Sequence, residues 1–375
     1  MRVVVGTGGT AGHVFPAVAA AERLRDRIGA EVTFLGRDRG PEASLIPAAG
    51  FRMDTVEALP LARTVSLTTL RAPFAALSAA RRCRVFVRGA DAVLGMGGYV
   101  SVPVALAARS ERIPLVLHEQ NAIPGLANRL AARWSRVVGL SFDSSRDRFP
   151  RRVRTVVTGN PVRSSVLRVR PYREALRAEG IRILDLDPGR RTVLAFGGSQ
   201  GARKVNSTTV DACGALADRA DLQVVLLTGR SRYEEVRDRV PERGDLVVRA
   251  LPFLDRIELA YAVADLVIGR AGATTVAEVA ACGLPAILVP YPHATAGHQD
   301  ANAAAVVRAG GAEVIADRNL DGHLLASRIR ELINDREGLA LMARGAAGFG
   351  RPEAADALAD LTVEVAGASR PKERR

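Results

Sequence analysis

Short apolar runs alternate with amphipathic segments along most of the chain, and glycine-rich turns separate many of them. Residues 2–6 (RVVVG) predict a buried strand, and a helix is predicted from about Val14 to Gly29. The first half continues with a short helix near 42–49 and with strands at 31–35, 51–56, 91–95, 113–118, 136–140 and 153–158. Strands and helices in alternation are typical of an α/β protein with parallel sheets.

The second half of the chain repeats this order. Its strands are predicted at 192–196, 222–228, 246–250 and 265–269. In each half the first strand runs into a glycine turn that opens a helix, as in nucleotide-binding folds. Two such halves predict two Rossmann-like domains whose carboxyl edges can face one cleft.

The segment GNPVR, residues 159–163, marks the passage between the halves. We therefore assign residues 1–163 to a first domain and residues 164–345 to a second. The last helical pattern, at about 352–366, is expected to cross back onto the first domain. The basic tail at 367–375 is expected to be disordered.

Length, composition and the positions of the cysteines narrow the class of protein. A length of 375 residues allows two domains with separate cores, and 48% apolar residues indicate a soluble protein. No apolar run reaches the ~20 residues of a membrane-spanning helix, and the chain enters a strand at once, so no signal peptide is expected. Cys83, Cys213 and Cys282 are scattered, which favours a reducing cytoplasm over a zinc site or a disulfide framework.

A net charge of +13 suggests an anionic partner, but a nucleic acid is not expected. The arginines are spread along the chain, and 4% aromatic residues leave few platforms for stacking bases. An anionic lipid surface fits the charge equally well. Residues 58–90 carry six arginines and no acid. A membrane patch is predicted there from an apolar stripe and its basic border: Leu67, Leu70, Phe74, Leu77, Arg81 and Arg82. The alternative is that the stripe belongs to the core.

The stretch from Gly269 to Asn302 has the clearest pattern of a ligand site. Arg270 and Ala273 follow a strand and open a helix, where backbone N–H groups attract an anion. The carboxylate of Glu278 suits the vicinal diol of a ribose, and the amides of Gln299 and Asn302 suit sugar hydroxyls. The alternative is an ordinary βαβ unit with a polar loop.

Two further glycine turns carry candidate chemistry. His13 follows the turn after the first strand, and its near-neutral pKa makes it a candidate general base. Gly197–Gly201, with Ser199, suits a diphosphate at a helix amino end, and Arg163 can add a cation. The first turn also contains G-x-G-x-x-A, and Arg37 could meet a 2′-phosphate, so an NADP-dependent oxidoreductase stays an alternative.

Two other polar segments are candidates for a metal site and an acceptor site. Asp185-Leu186-Asp187 imitates a metal motif but precedes its strand, so we interpret it as a loop, and no dedicated metal site is predicted. His118-Glu119-Gln120-Asn121 is placed past its strand, at the edge where a polar acceptor could be held.

Taken together, these segments resemble the MurG family of peptidoglycan N-acetylglucosaminyltransferases. The resemblance is carried in order by GTGGTAGHVFPA, GGYVSVP, HEQNAIPGLAN, GNPVR, FGGSQGARKVN, GRAGATTVAEVAACGLPAILVPYPH and HQDANA. It implies a GT-B fold and transfer of GlcNAc from UDP-GlcNAc to an undecaprenyl-linked acceptor, lipid I. The β-1,4 bond would form with inversion, giving lipid II at the cytoplasmic face of the membrane. The donor is a substrate, and no tightly bound cofactor is expected. A GT-B enzyme with a different acceptor is the nearest alternative, and other cell-wall or division proteins remain open as partners.

The resemblance also implies roles for single residues. His13 matches the family's proposed base, with Glu119 in the catalytic group and Tyr99, His118 and Asn128 toward the acceptor. The sugar nucleotide would be held by Thr10, Ala11, Gly12, Asn121, Arg163, Ser199, Leu254, Arg270, Ala273, Thr274, Thr275, Val276, Ala277, Glu278 and Gln299. Leu254 would contact uracil through its backbone. The chain departs from the family at Ala11, where many members have Gly, and at Val102-Pro103-Val104, which replaces a more glycine-rich run.

Overall fold

A computed structural model describes residues 1–56, 67–98, 100–198, 201–241 and 244–368, with the side chains of 67–76 outside the description. The chain divides into two compact units. Unit 1 consists of Met1–Arg163 and Pro352–Arg375, and unit 2 of Ser164–Arg351. Each unit is an α/β domain with one parallel sheet.

Unit 1 is built on a seven-stranded sheet in the order β3-β2-β1-β4-β5-β6-β7. Its strands are β1 (Arg2–Gly6), β2 (Glu31–Gly36), β3 (Arg52–Thr55), β4 (Ala92–Gly95), β5 (Leu115–Glu119), β6 (Val137–Leu140) and β7 (Thr155–Val157). Its helices before the unit boundary are α1 (Ala11–Ile28), α2 (Glu42–Ala48), α3 (Leu67–Val87), α4 (Ser101–Ser110) and α5 (Leu126–Ala131). All neighbouring strands pair in parallel.

Unit 2 has a six-stranded parallel sheet in the order β10-β9-β8-β11-β12-β13. Its strands are β8 (Arg191–Phe196), β9 (Leu222–Leu227), β10 (Val247–Leu251), β11 (Leu266–Gly269), β12 (Ala286–Leu288) and β13 (Ala312–Val314). Its helices are α6 (Ser164–Leu167), α7 (Arg173–Ile183), α8 (Arg203–Ala215), α9 (Glu234–Arg237), α10 (Ile257–Val263), α11 (Ala273–Cys282), α12 (His298–Arg308), α13 (Gly322–Asn334) and α14 (Arg336–Phe349).

The strand order of each sheet fixes where a ligand site can form. In unit 1 the order reverses between β1 and β4, and in unit 2 between β8 and β11. Loops leave such a pair of strands toward opposite faces of the sheet and open a crevice at the carboxyl edge. The glycine turns predicted from the sequence follow these four strands.

The last helix, α15 (Ala354–Ala368), belongs to unit 1. Its buried Leu358, Leu361 and Val365 join the core formed by β1 and α1. Asp356 also accepts a hydrogen bond from Arg27 of α1 at 2.7 Å. Apolar burial therefore fastens the end of the chain to the sheet that the beginning of the chain forms.

Two features differ from the sequence predictions. Helix α1 begins at Ala11, directly after Thr10, rather than near Val14. The residues between Thr10 and Val14 show no apolar period, so the sequence pattern does not reveal this earlier start. Strand β5 extends to Glu119, one residue beyond the predicted end at 118, so Glu119 ends the strand rather than follows it. Helix α8 begins at Arg203, so Gly201 lies in the turn before the helix, as the sequence predicts.

Candidate functional site

Two glycine turns meet at the carboxyl edge of unit 1. The turn after β1 contains Gly8, and the turn after β4 contains Gly97 and Gly98, with φ of 87° and 80°. A β-carbon on Gly98 would lie 2.1 Å from the carbonyl oxygen of Gly8. Only glycine allows this approach of two backbones, so the turns form one continuous surface.

The imidazole of His13 lies beside this surface. Its Nδ1 is 2.9 Å from the hydroxyl oxygen of Thr10, and its carbonyl oxygen accepts a hydrogen bond from Thr7 at 3.2 Å. A β-carbon on Gly97 would lie 2.8 Å from Cδ2 and 3.1 Å from Nε2 of the ring. When Nδ1 donates its proton to Thr10, Nε2 carries the lone pair that a general base needs.

A second imidazole, that of His118, is held neutral in the interior. Gln120 donates from Nε2 to the carbonyl oxygen of Met96 at 2.8 Å and to Nδ1 of His118 at 3.2 Å. The proton of His118 therefore sits on Nε2, which lies 2.9 Å from the carbonyl oxygen of Gly159. Burial lowers the pKa of His118 to about 4, so the ring is a fixed neutral donor.

Glu119 holds the loop that follows β5. Its carboxylate accepts hydrogen bonds from the backbone N–H groups of Asn121 at 3.0 Å and Gly125 at 3.2 Å. It also accepts from the side chain of Asn128 at 2.9 Å. Burial raises its pKa, and these hydrogen bonds oppose the rise. The structure thus brings His118, Glu119 and Asn128 together, with Glu119 turned into the protein.

The side chain of Arg163 packs on the helix that carries His13. Its guanidinium carbon lies 4.1 Å from the centroid of the Phe15 ring. Such a cation–π contact orients a guanidinium without neutralising its charge. The contact places the Arg163 guanidinium against Phe15, which lies two residues after His13 in α1.

In unit 2 the helix α11 begins at the carboxyl end of β11, as predicted. Gly272 is the N-cap, with an extended backbone, and Ala273 starts the helix. The N–H groups of a first helical turn have no partner within their own helix and favour an anion. The predicted donor segment is this helix start: Ala273, Thr274, Thr275, Val276, Ala277 and Glu278.

Glu278 is buried in the second turn of α11. It is 3% exposed, and its Oε2 accepts a hydrogen bond from the hydroxyl of Tyr261 at 3.0 Å. The Tyr261 ring packs edge-on against Phe196, with the ring centroids 6.0 Å apart. Sequence reasoning missed Tyr261, because no local pattern links a residue of α10 to one of α11.

Three other predicted donor residues make contacts within unit 2. Nη1 of Arg270 lies 2.5 Å from Asp317 and donates to the carbonyl oxygens of Val289 and Pro290 at 3.2 Å each. Gln299 accepts from the backbone N–H of Tyr291 at 2.9 Å. Leu254 is half-buried beyond β10. These contacts fix the loops at the sheet edge.

Asn302, also proposed from the sequence to read sugar hydroxyls, is fully buried. Its side chain donates to the carbonyl oxygen of Ala271 at 3.1 Å. The Asn302 amide therefore holds the turn that precedes α11.

Some predicted residues cannot be placed. Tyr99 and Ser199 lie outside the described residues, as do the side chains of Leu67, Leu70 and Phe74. Of the predicted membrane patch, Leu77 is 49% exposed, and Arg81 and Arg82 are exposed. Within the described ranges, no three His, Cys, Asp or Glu side chains cluster as metal ligands would. Nor does any helix there have the length and apolar character to cross a bilayer.

Two protein-family models match separate parts of the chain, one in the region of the first sheet and one in the region of the second. Residues 3–139 match the glycosyltransferase family 28 N-terminal domain. Residues 192–358 match the glycosyltransferase family 28 C-terminal domain. The two matches together cover most of both sheets, with β7 outside them, and both sets of glycine turns.

Individual relatives match over almost the whole chain. The UDP-N-acetylglucosamine--N-acetylmuramyl-(pentapeptide) pyrophosphoryl-undecaprenol N-acetylglucosamine transferase of Halothermothrix orenii is 40% identical, covering 98% of this chain and 99% of its own. The protein of the same name from Moorella thermoacetica is 42% identical, covering 97% and 99%. The crystal structure of Acinetobacter baumannii MurG is 29% identical, with a TM-score of 0.76 over 97% of this chain and 99% of that one.

Proposed function

The chain belongs to the MurG family within glycosyltransferase family 28, and from this membership we propose that it transfers GlcNAc from UDP-GlcNAc to lipid I. The acceptor is the 4-hydroxyl of MurNAc in undecaprenyl-diphospho-MurNAc-pentapeptide, and the product is lipid II of peptidoglycan synthesis. The observation that carries this proposal is 40% identity over nearly the full length of a relative with that activity in its name.

Unit 2 binds the donor in this proposal. The first turn of α11 directs backbone N–H groups at the diphosphate, and Glu278 accepts the ribose hydroxyls. Tyr261 donates to Glu278 and so fixes the carboxylate for that role. Further donor contacts are assigned to Ser199, Leu254, Arg270 and Gln299 of unit 2. The family resemblance assigns others to Thr10, Ala11, Gly12, Asn121 and Arg163, which belong to unit 1.

Unit 1 supplies the base. Nε2 of His13 takes the proton of the MurNAc 4-hydroxyl as the oxygen attacks the anomeric carbon of GlcNAc. The bond from that carbon to the diphosphate oxygen breaks, and UDP leaves with the electron pair. Attack opposite the leaving group inverts the configuration and gives a β-1,4 bond. Helix N-termini and Arg163 stabilise the charge that develops on UDP.

His118, Glu119, Asn128 and Tyr99 form the acceptor side. Glu119 acts through the loop that it holds, since its carboxylate accepts hydrogen bonds from Asn121, Gly125 and Asn128. The neutral His118 keeps that loop in register with the segment after β7. The roles of these residues are therefore to position the acceptor.

The enzyme works at the cytoplasmic face of the membrane, where a lipid-linked acceptor is found. The exposed Leu77, Arg81 and Arg82 of α3 support contact with an anionic lipid surface. Replacing Leu77 and Arg81 with Asp should abolish flotation with anionic vesicles. If the variant still floats with them, this surface is not the membrane contact.

The decisive test of the activity combines purified protein, UDP-GlcNAc and lipid I. Released UDP and a lipid heavier by one GlcNAc support the proposal. Release of UDP only with another acceptor would point to a different GT-B transferase. A titration with NADPH tests the oxidoreductase alternative, and unchanged rates in EDTA would support a reaction without a dedicated metal site.

A further inference from the structure

A fully buried carboxylate lies beneath the first glycine turn. Glu42 is the first residue of α2 and is 0% exposed. Its Oε1 and Oε2 lie 3.2 and 3.3 Å from the backbone nitrogen of Gly9, which donates to both. The side chain thus turns away from its own helix and binds a residue 33 positions earlier in the chain.

The turn is shaped around this carboxylate. A β-carbon on Gly8 would lie 2.7 Å from Oε1, and one on Gly40 would lie 2.7 Å from Oε2. Two glycines therefore make the room that the carboxylate occupies. Burying a carboxylate costs free energy, which a hydrogen bond to a fixed amide offsets in part.

We propose that Glu42 is a positioning residue for His13, an inference that rests on the proposed function. By fixing the N–H of Gly9, it sets the conformation of the next residue, Thr10, whose hydroxyl lies 2.9 Å from Nδ1 of His13. Glu42 touches neither substrate nor the reacting atoms. It acts through Gly9 and Thr10 on the tautomer and orientation of the imidazole.

An ordinary helix-start role does not account for these contacts. An acid in the first turn of a helix interacts favourably with that helix's own N–H groups. The carboxylate of Glu42 instead accepts hydrogen bonds from the backbone N–H of Gly9, which lies outside α2. The contact links α2 to the loop after β1.

The first test uses three Glu42 variants and a matched control. Asp91 also accepts a hydrogen bond from a backbone N–H, that of Arg2 at 2.8 Å, but at the opposite end of β1. Asp91→Ala removes this acceptor and therefore reports the cost of losing such a contact far from His13. Glu42→Ala removes the acceptor, Glu42→Asp keeps the charge but shortens the reach, and Glu42→Gln keeps shape and an acceptor oxygen.

The expected result separates turnover from binding and stability. Glu42→Ala and Glu42→Asp should lower kcat by up to about tenfold, the loss expected when Thr10 no longer orients the imidazole, with the KM for UDP-GlcNAc within about twofold of wild type. Glu42→Gln should restore most of kcat. Asp91→Ala should lower Tm without lowering kcat. If Glu42→Ala does not fold, Glu42→Asp decides.

A double variant tests the route through Thr10. In a Thr10→Val background, Glu42→Ala should lower kcat by less than about threefold, because coupled residues give non-additive losses. Equal losses in both backgrounds, or wild-type kcat in a folded Glu42→Asp protein, would overturn the inference. A wild-type protein that transfers no GlcNAc would instead overturn the proposed function, so the two failures are distinct.

Discussion

The hydroxyl oxygen of Thr10 lies 2.9 Å from Nδ1 of His13, one helical turn further along the chain. The hydroxyl can accept the Nδ1 proton and leave Nε2 with its lone pair. We expect Thr10→Val to lower kcat about tenfold, since the base then loses its preferred tautomer and orientation. Thr10→Ser keeps the hydroxyl and should turn over like the wild type. Steady-state rates of UDP release measure both, and equal rates for Val and Ser would remove the hydroxyl from the mechanism.

Tyr261 supports the carboxylate that we assign to the ribose. Removing its hydroxyl leaves Glu278 without this donor, while the edge-on packing against Phe196 stays. We expect Tyr261→Phe to weaken UDP-GlcNAc binding about threefold to tenfold, and Glu278→Ala to weaken it further. Calorimetric titration gives the Kd. Tyr172→Phe, at a tyrosine that is 58% exposed, is the control and should bind normally. Unchanged affinity in Glu278→Ala would remove this residue from the donor site.

The buried His118 predicts how stability depends on pH. Burial lowers the pKa of His118 from 6.5 to about 4. Between pH 6.5 and pH 4, therefore, His118 binds a proton in the unfolded chain and not in the folded chain. The stability that the neutral ring contributes is therefore full above pH 6.5 and is lost as pH falls toward 4. We expect the free energy of unfolding to lose roughly 3 kcal/mol through this residue.

Urea unfolding at pH 7, 5.5 and 4 measures that loss. A His118→Gln variant should lack this share of the pH dependence. His323→Gln, at an exposed residue of α13, should keep it. Identical pH profiles for wild type and His118→Gln would show that folding does not lower the pKa of His118.

Helix α15 contributes a buried leucine, Leu358, to the core of unit 1, so truncating this side chain should destabilise the unit. Leu358 of α15 is 0% exposed and packs near Gly139 of β6, where an added β-carbon would lie 3.3 Å from its Cδ1. Leu358→Ala should lower the free energy of unfolding by about 2–5 kcal/mol. Leu341→Ala, at a leucine of α14 that is 56% exposed, should change it by less than about 0.5 kcal/mol. Equal effects in urea unfolding would contradict the packing of α15.

Much of the fold could be predicted because local patterns specify it. The strands β1 and β8 match their predicted bounds within one residue, since continuous apolar runs end at glycine turns. Gly283 ends α11 with φ of 66°, the left-handed conformation that glycine supplies at helix ends, so the end of this helix can be recognised from the sequence. The helices α13 and α14 were not assigned, although Leu325, Ile329 and Leu332 repeat at helical spacing.

The candidate site was predictable only where its residues adjoin a glycine turn. His13 and Ala273 stand directly after such turns, and the sequence identifies them. Tyr261 and Glu42 were missed because their importance depends on contacts over 17 and 33 residues. The inward direction of Glu119 likewise depends on the loop that folds back over β5, which apolar periodicity does not predict.

The measurement that tests the central claim most directly is a single-turnover reaction of lipid I with enzyme-bound UDP-GlcNAc, comparing wild type with His13→Ala. The wild type should form a lipid one GlcNAc heavier and release an equal amount of UDP. His13→Ala should bind the donor with unchanged Kd and react about 10²- to 10⁴-fold more slowly. A wild-type protein that forms no such product, or a His13→Ala protein that forms it at the wild-type rate, would contradict the account.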